Sequence, residues 1–271
     1  VTDGFFSTTQ QITVNIGNLE DNAPVYTGAN EFFVDENQTA IGTVGATDAD
    51  GSDLTFTISG SDITILGTSS PEENGNWPAL LEFVSAPDYE QQTEYSATIQ
   101  ISDGTLTTNA PIDIYINNLN DNIPLITSGT TYNADENQTA IGTVTATDAD
   151  NDTVTFSISG SEINIDANTG VLTFASAPDY ETKSSYAATV TASDGENSRS
   201  LDLVITINDV NDNAPVFTSN SSFTADENQT AIGTVTATDI DSDSITFSIS
   251  GSEINIDSTT GVLTFAEAPD Y

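Results

Sequence analysis

A ten-residue string, Asp-Glu-Asn-Gln-Thr-Ala-Ile-Gly-Thr-Val, occurs three times in the chain, beginning at Asp35, Asp135 and Asp226. Identical strings at spacings of 100 and 91 residues make the chain an array of one folding unit. Whatever one unit does at its ends is therefore done again at each boundary. Other markers keep a fixed order around the string. Asp-x-Asp falls at Asp48/Asp50, Asp148/Asp150 and Asp239/Asp241, and Ala-Pro-Asp-Tyr at 86–89, 177–180 and 268–271. Asp-Gly begins at Asp3, Asp103 and Asp194, and the tracts Asn18 to Pro24, Asn118 to Pro124 and Asp209 to Pro215 close each unit. The register gives the end of one repeat at 1–24, complete repeats at 25–124 and 125–215, and the start of another at 216–271.

Inside each unit apolar residues alternate with polar ones, as in Leu54, Phe56 and Ile58, then Tyr95, Ala97, Ile99 and Ile101, then Ile112, Ile114 and Ile116. A period of two belongs to half-buried strands, and the Thr, Ser, Val and Ile that fill it suit a pleated sheet. Short strands separated by Gly, Asn, Asp and Pro predict an all-β chain of tandem Greek-key, seven-stranded, antiparallel β-sandwiches with immunoglobulin-like topology, arranged as a rod. One repeat is longer. Between Ile65 and Phe83 it has 18 positions where Ile165 to Phe174 has 9, which places an inserted loop at 69–78 with Pro71, Glu72, Glu73, Gly75, Trp77 and Pro78. Either Trp77 packs back on its own sandwich, or it stands on the acidic loop as an anchor for a partner or a sugar ring.

Charge decides which chemistry such an array can carry. The chain has 42 acidic residues against 2 basic ones, Lys183 and Arg199, with no His and no Cys, for a formal net charge of −40. Nothing on that surface can neutralise phosphates, so nucleic acids and anionic membranes are excluded as partners. Zinc fingers, iron–sulfur clusters, thiol nucleophiles and Ser-His-Asp triads are excluded by composition. The 36% of hydrophobic residues are spread evenly, which marks a folded chain and not an acidic tail. Hard oxygen ligands are what is left. Like charges gathered in register at each boundary destabilise a fold unless a cation lies between them, and Ca2+ takes about six to eight such oxygens. An EF-hand does not fit, since its sixth and twelfth positions would be Asp53 and Ser59 or Thr153 and Ser159. No Gly-Gly-x-Gly-x-Asp run supports a parallel β-roll.

Taken together over essentially the whole chain, these markers resemble the cadherin repeat. In that family a Glu after the first strand, a mid-domain Asp-x-Glu, an Asp-x-Asn-Asp-Asn linker and the next repeat's Asp-x-Asp and Asp-Gly converge on calcium ions between repeats. The resemblance assigns Glu36, Asp88, Glu90, Asn118, Asn120, Asp121, the carbonyl of Asn122, Asp148, Asp150 and Asp194 to the boundary between the complete repeats. The following boundary takes Glu136, Asp179, Glu181, Asp209, Asn211, Asp212, Asn213, Asp239 and Asp241. The first takes Asn18, Glu20, Asp21, Asn22, Asp48, Asp50 and Asp103. Asp209 keeps the leading Asp of the linker, whereas Asn18 and Asn118 replace it and Glu20 stands where Asn is expected. Loss of a formal charge is expected to weaken one ion site at those two boundaries.

The resemblance implies a calcium-rigidified adhesion or structural protein at the cell surface, with no catalytic or cofactor-binding residues. Its partners would be neighbouring repeats of the same long chain, copies of itself in homophilic or filament association, or a surface glycan or protein. The alternatives are a polysaccharide- or matrix-binding module and an accessory region of a large secreted enzyme. Near-identical repeats with few Lys point to a bacterial surface adhesin or fibre. Asn37, Asn137 and Asn228 stand in Asn-Gln-Thr, with further formal glycosylation acceptors at Asn151 and Asn220, and their place beside the ligating Glu favours a structural role. Tyr271 aligns with Tyr180 and Asp3 with Asp194, so the register predicts an array that continues in both directions.

Overall fold

The computed structural model describes every residue except Asp3 and Asn18. It divides within the linker into two units, Val1–Asn120 and Asp121–Tyr271. The first unit contains β1 (Val25–Tyr26), β2 (Glu31–Asp35), β3 (Ala40–Thr47), β4 (Thr55–Ile58), β5 (Ile63–Thr68), β6 (Trp77–Phe83), β7 (Glu94–Ser102) and β8 (Thr107–Asn117). Two four-stranded sheets result, ordered β1-β3-β6-β5 and β2-β8-β7-β4. The alternation in the sequence decides which face is buried. Ala97, Ile99 and Ile101 of β7 and Ala110, Ile112, Ile114 and Ile116 of β8 meet Val44, Ala46, Ala79, Leu81 and Phe83 from the facing sheet.

One pairing departs from the antiparallel expectation. β2 runs parallel to β8, with Val34 opposite Ile116. The cause is the short crossover at 27–30: Val25 and Tyr26 pair with β3 in one sheet, and the chain then steps to the other sheet and lies along its last strand.

The second unit repeats this plan with β9 (Leu125–Ile126), β10 (Thr131–Asp135), β11 (Ala140–Thr143), β12 (Ala146–Thr147), β13 (Thr155–Ile158), β14 (Ile163–Ile165), β15 (Val171–Phe174), β16 (Ser185–Ser193) and β17 (Ser198–Asn208). Its sheet β10-β17-β16-β13 again has a parallel pair, β10 with β17. Leu172, Val190, Leu203, Ile205 and Ile207 fill its core. Residues 216–271 add β18 (Val216–Phe217), β19 (Ala231–Thr234), β20 (Ala237–Thr238), β21 (Ile254–Ile256) and β22 (Val262–Phe265), the counterparts of β9, β11, β12, β14 and β15. Among the described residues, no helix is long and apolar enough to cross a membrane.

The insertion at 69–78 is only partly a loop. Trp77 and Pro78 belong to β6, opposite Ala46 and Gly45, and the half-buried indole packs against the first core. The loop proper is closed by the Glu72 N–H donating to Asn76 O at 2.8 Å and the Gly75 N–H to Glu72 O at 2.9 Å. In the second repeat the same connection is a tight turn. There Asp166 Oδ1 accepts from the N–H of Asn168 and Thr169 at 3.1 and 2.8 Å. Gly170 has φ of 69°, and a Cβ on it would lie 2.1 Å from Val144 O, so only glycine fits. The first repeat escapes that constraint by extending the β3–β6 ladder, and Ala79 stands where Gly170 does. The packed position of Trp77 therefore holds over the exposed anchor. Trp77→Ala is expected to destabilise the first repeat by about 1–3 kcal/mol, read by denaturant unfolding; an unchanged midpoint would show that the indole is not part of the core.

Candidate metal centres

Each centre starts from a Glu that leaves a strand and turns inward. Glu36 follows β2 and Glu136 follows β10, each ahead of an Asn in the left-handed region, Asn37 at φ 65° and Asn137 at φ 63°. Both carboxylates are buried, at 2% and 4% exposure. Tyr89 N–H donates to Glu36 Oε2 at 2.8 Å and Leu119 N–H to Oε1 at 2.9 Å. In the second unit Tyr180 N–H and Val210 N–H do the same for Glu136, both at 2.8 Å. One side chain thus ties the Ala-Pro-Asp-Tyr turn to the linker.

The linker is held from its other side by the second Asp of Asp-x-Asp. Asp50 Oδ2 accepts the N–H groups of Asp21 and Asn22 at 3.0 and 2.9 Å, and Asp50 Oδ1 accepts Asn22 Nδ2 at 2.8 Å. Asp150 repeats this with Asp121 and Asn122 at 3.0, 2.9 and 2.7 Å. Asp241 does so with Asp212 and Asn213 at 3.1, 2.8 and 2.8 Å. The Asn22 donors hold the Asp50 carboxyl below its usual range. Burial pushes Asp241 up, but the donors from Asn213 and Asp212 outweigh it and leave the group lowered.

The remaining acids use one oxygen and strand the other. Asp48 Oδ1 caps the N–H of Asp50 and Ser52, and Asp148 Oδ1 caps Asp150 and Asp152. Asp103 Oδ1 caps Thr105 and Leu106, and Asp194 Oδ1 caps Glu196 and Asn197. The Oδ2 atoms of all four, with Glu181 Oε1, are buried without a hydrogen-bond partner; Ser128 Oγ is the one other such side-chain atom among the described residues. Stranding a buried acceptor costs about 1–3 kcal/mol, and more for a charged one. A cation removes that cost, and an all-oxygen donor set suits a hard divalent ion. The residues fit the group.

Carboxylates converge most fully within the second unit. Oxygens of Glu136, Glu181 and Asp212 lie within 4.8 Å of one another, as do those of Glu181, Asp209 and Asp241, so Glu181 is common to both groups. Asn137 Nδ2 donates to Asp212 Oδ2 at 2.5 Å, which gives that Asn a place in the centre. Burial, with the charges of Glu136, Asp241 and Asp209, pushes Glu181 up, and burial beside Asp241, Glu136 and Asp243 pushes Asp209 up. Asp239 Oδ1 caps the Asp241 N–H at 3.0 Å, Asp179 accepts from Thr182 N–H and Oγ1 at 3.0 Å each, and Asn211 is exposed.

In the first unit Glu20, Asp48 and Asp50 form a group, with the Ser52 hydroxyl donating to Glu20. Asp88 holds the Gln91 N–H at 3.2 Å and Gln91 Nε2 at 2.6 Å; Glu90 and Asn118 are exposed and Asn120 is half-exposed. Asn18 lies outside the described residues. Asp148 and Asp150 gather with Asp152, which the sequence reading passed over although an Asp-x-Asp-x-Asp spacing marks it.

Tandem β-sandwiches with an acidic, oxygen-only centre keyed to each linker define a class of repeat protein. The family model described as Cadherin domain matches residues 130–208. Cadherin EGF LAG seven-pass G-type receptor 2 of Mus musculus is 31% identical over 76% of this chain, and Protocadherin-11 X-linked of Pongo pygmaeus is 34% identical over 75%. The chain spans 8% and 16% of those proteins. Among solved structures, mouse Cadherin-23 EC22-24 matches with a TM-score of 0.67 at 25% identity, over 92% of this chain and 90% of that one. The Protocadherin gammaB7 EC3-6 cis-dimer matches with a TM-score of 0.74 at 22% identity, over 93% and 71%. The chain belongs to the cadherin-repeat family.

Crowding in the second unit has a measurable sign. Raised groups stabilise the fold while protonated, so the contribution of Glu181 and Asp209 is complete below their unfolded pKa and is lost as pH rises through the folded ones. Carboxyl-carbon NMR titration without divalent metal should find both above the usual carboxylate range and Asp241 below it; equal values for the three would contradict the geometry.

Proposed function

We propose that the chain is a stretch of an extracellular cadherin-repeat array, displayed at the cell surface, in which calcium stiffens the repeat boundaries so that the array acts in adhesion as a spacer of defined reach. The observation that carries this is the set of stranded oxygens on Asp48, Asp103, Asp148, Glu181 and Asp194. All five stand in the boundary motifs. When bound, the ion supplies positive charge and a demand for about six to eight oxygens.

The protein's own residues set up the response. Glu136 fixes the linker to the turn after β15, and Asp241 fixes the same linker to the next repeat through Asp212 and Asn213. Glu181 and Asp209 then face the negative charge of both. Without a cation their repulsion pushes the repeats at 125–215 and 216–271 apart; with one, ligands from both repeats and the linker share ions and the boundary stiffens. The same set recurs in register along the chain. Partners are neighbouring repeats of the same chain and, through the long array, further copies of it.

Small-angle scattering in calcium and then in excess chelator should turn a stiff particle into a bent, heterogeneous ensemble while circular dichroism keeps the strand signal. Superimposable curves would end the proposal. Asp150→Ala should weaken calcium binding about tenfold or more (~1.4 kcal/mol), whereas Asp62→Ala, at an exposed site outside every motif, should leave it unchanged. The melting temperature should rise with the logarithm of calcium concentration above the dissociation constant.

A further inference from the structure

One sheet face differs in chemical kind between the complete repeats. On the outer side of sheet β2-β8-β7-β4, Phe33 pairs with Tyr115 and Tyr115 with Glu94, while Glu31 pairs with Asp113 and Asp113 with Ser96. At the equivalent positions the second repeat has Asn133, Thr206, Ser185, Thr131, Val204 and Ala187. Six neighbouring positions have thus changed as a set. The row beside them has not: Asp35 accepts from Asn117 Nδ2 at 2.9 Å and Asp135 from Asn208 Nδ2 at 2.8 Å.

The changed face breaks the local rules of a stable sheet. The Phe33 and Tyr115 rings stack with centroids 5.3 Å apart and planes at 23°, and Phe33 is 68% exposed. Glu31 and Asp113 sit directly opposite, where like charges destabilise a ladder. Ser96 Oγ donates to Asp113 Oδ1 at 2.9 Å, which fixes one carboxylate, and no Lys or Arg occurs anywhere in 1–120 to balance the three acids. Uncharged and non-aromatic Thr, Asn, Ser, Val and Ala at these places in the second repeat give a sheet of the same strand order. Folding therefore does not require the aromatic and acidic set.

We propose that the Phe33–Tyr115 stack with Glu31, Glu94 and Asp113 is a docking surface for a cationic segment of a partner protein, an Arg or Lys side chain laid over the rings. Charge complementarity selects that occupant. A guanidinium or ammonium group is attracted by the ring faces and by each carboxylate at once, and a planar guanidinium also stacks. The negative field is already felt at the phenol: burial, then Glu94, Asp113 and Glu31, push the Tyr115 hydroxyl up. This surface is independent of the metal centres, whose residues it does not use.

The probe is the blocked peptide Gly-Gly-Arg-Gly-Gly, titrated into the full chain in saturating calcium and followed by NMR of the aromatic rings. The neutral citrulline peptide is the control. Shifts should centre on Phe33 and Tyr115, and the citrulline peptide should leave them in place. The double change Phe33→Asn with Tyr115→Thr, which installs the second repeat's residues and so keeps the sheet, should weaken binding at least fivefold. Glu31→Thr with Glu94→Ser and Asp113→Val should do the same. Moving all six residues into the second repeat should create a second site. Shifts spread evenly over the acidic surface, equal affinity in both variants, or rings that respond to a neutral oligosaccharide and not to the Arg peptide would each overturn the proposal.

Discussion

Everything at a repeat boundary hangs on a carboxylate buried without a cation of its own. Glu36 and Glu136 take two backbone N–H groups each, one from a turn and one from the linker, and those bonds tie the start of the linker to the turn. A buried charge is tolerated only when its lone pairs are used. Here half of that requirement is met by the backbone. The remainder is passed on to neighbours such as Glu181 and Asp209, whose raised pKa values record the crowding. The centres are thus incomplete by design of the sequence, with structural oxygens on one side and stranded ones on the other.

That division also explains why so acidic a chain folds. Few of its carboxylates lie on strands; most stand in turns and linkers, where solvent screens the exposed ones. Apart from Glu31 opposite Asp113, those that approach one another do so at the ends of sandwiches, and the cores are filled by Val, Ile, Leu and Phe. The cores can form whether or not the boundaries are neutralised.

Much of this was legible beforehand, because repetition turns single weak motifs into a register. Alternation at Ile112, Ile114 and Ile116 gave β8 and its buried face, and the acid motifs lie where chain turns converge. What escaped was set by pairing partners remote in sequence. Nothing local in Glu31–Asp35 says that it runs parallel to β8, since that depends on the crossover at 27–30. Trp77 read as loop because the insertion was measured by length, whereas the added residues lengthen a ladder. Asp152 was hidden because its counterpart Ser52 breaks the pattern in the first complete repeat, although Asp243 keeps it in the last. The aromatic pair was invisible because Phe33 and Tyr115 are far apart in the chain and only the sheet brings them together.

The parallel pairs have a mechanical meaning. In each complete repeat an early strand and the last strand lie side by side in the same direction, Glu31–Asp35 along Asp113–Asn117 and Thr131–Asp135 along Val204–Asn208. Tension entering through the front of a repeat and leaving through its back draws these two strands past each other. Their hydrogen bonds, evenly spaced and slanted in a parallel ladder, are then loaded in shear, so they share the force and must fail together. An antiparallel pair at the same place would be peeled open one bond at a time. The crossovers at 27–30 and 127–130 therefore make each complete sandwich a clamp against pulling along the chain.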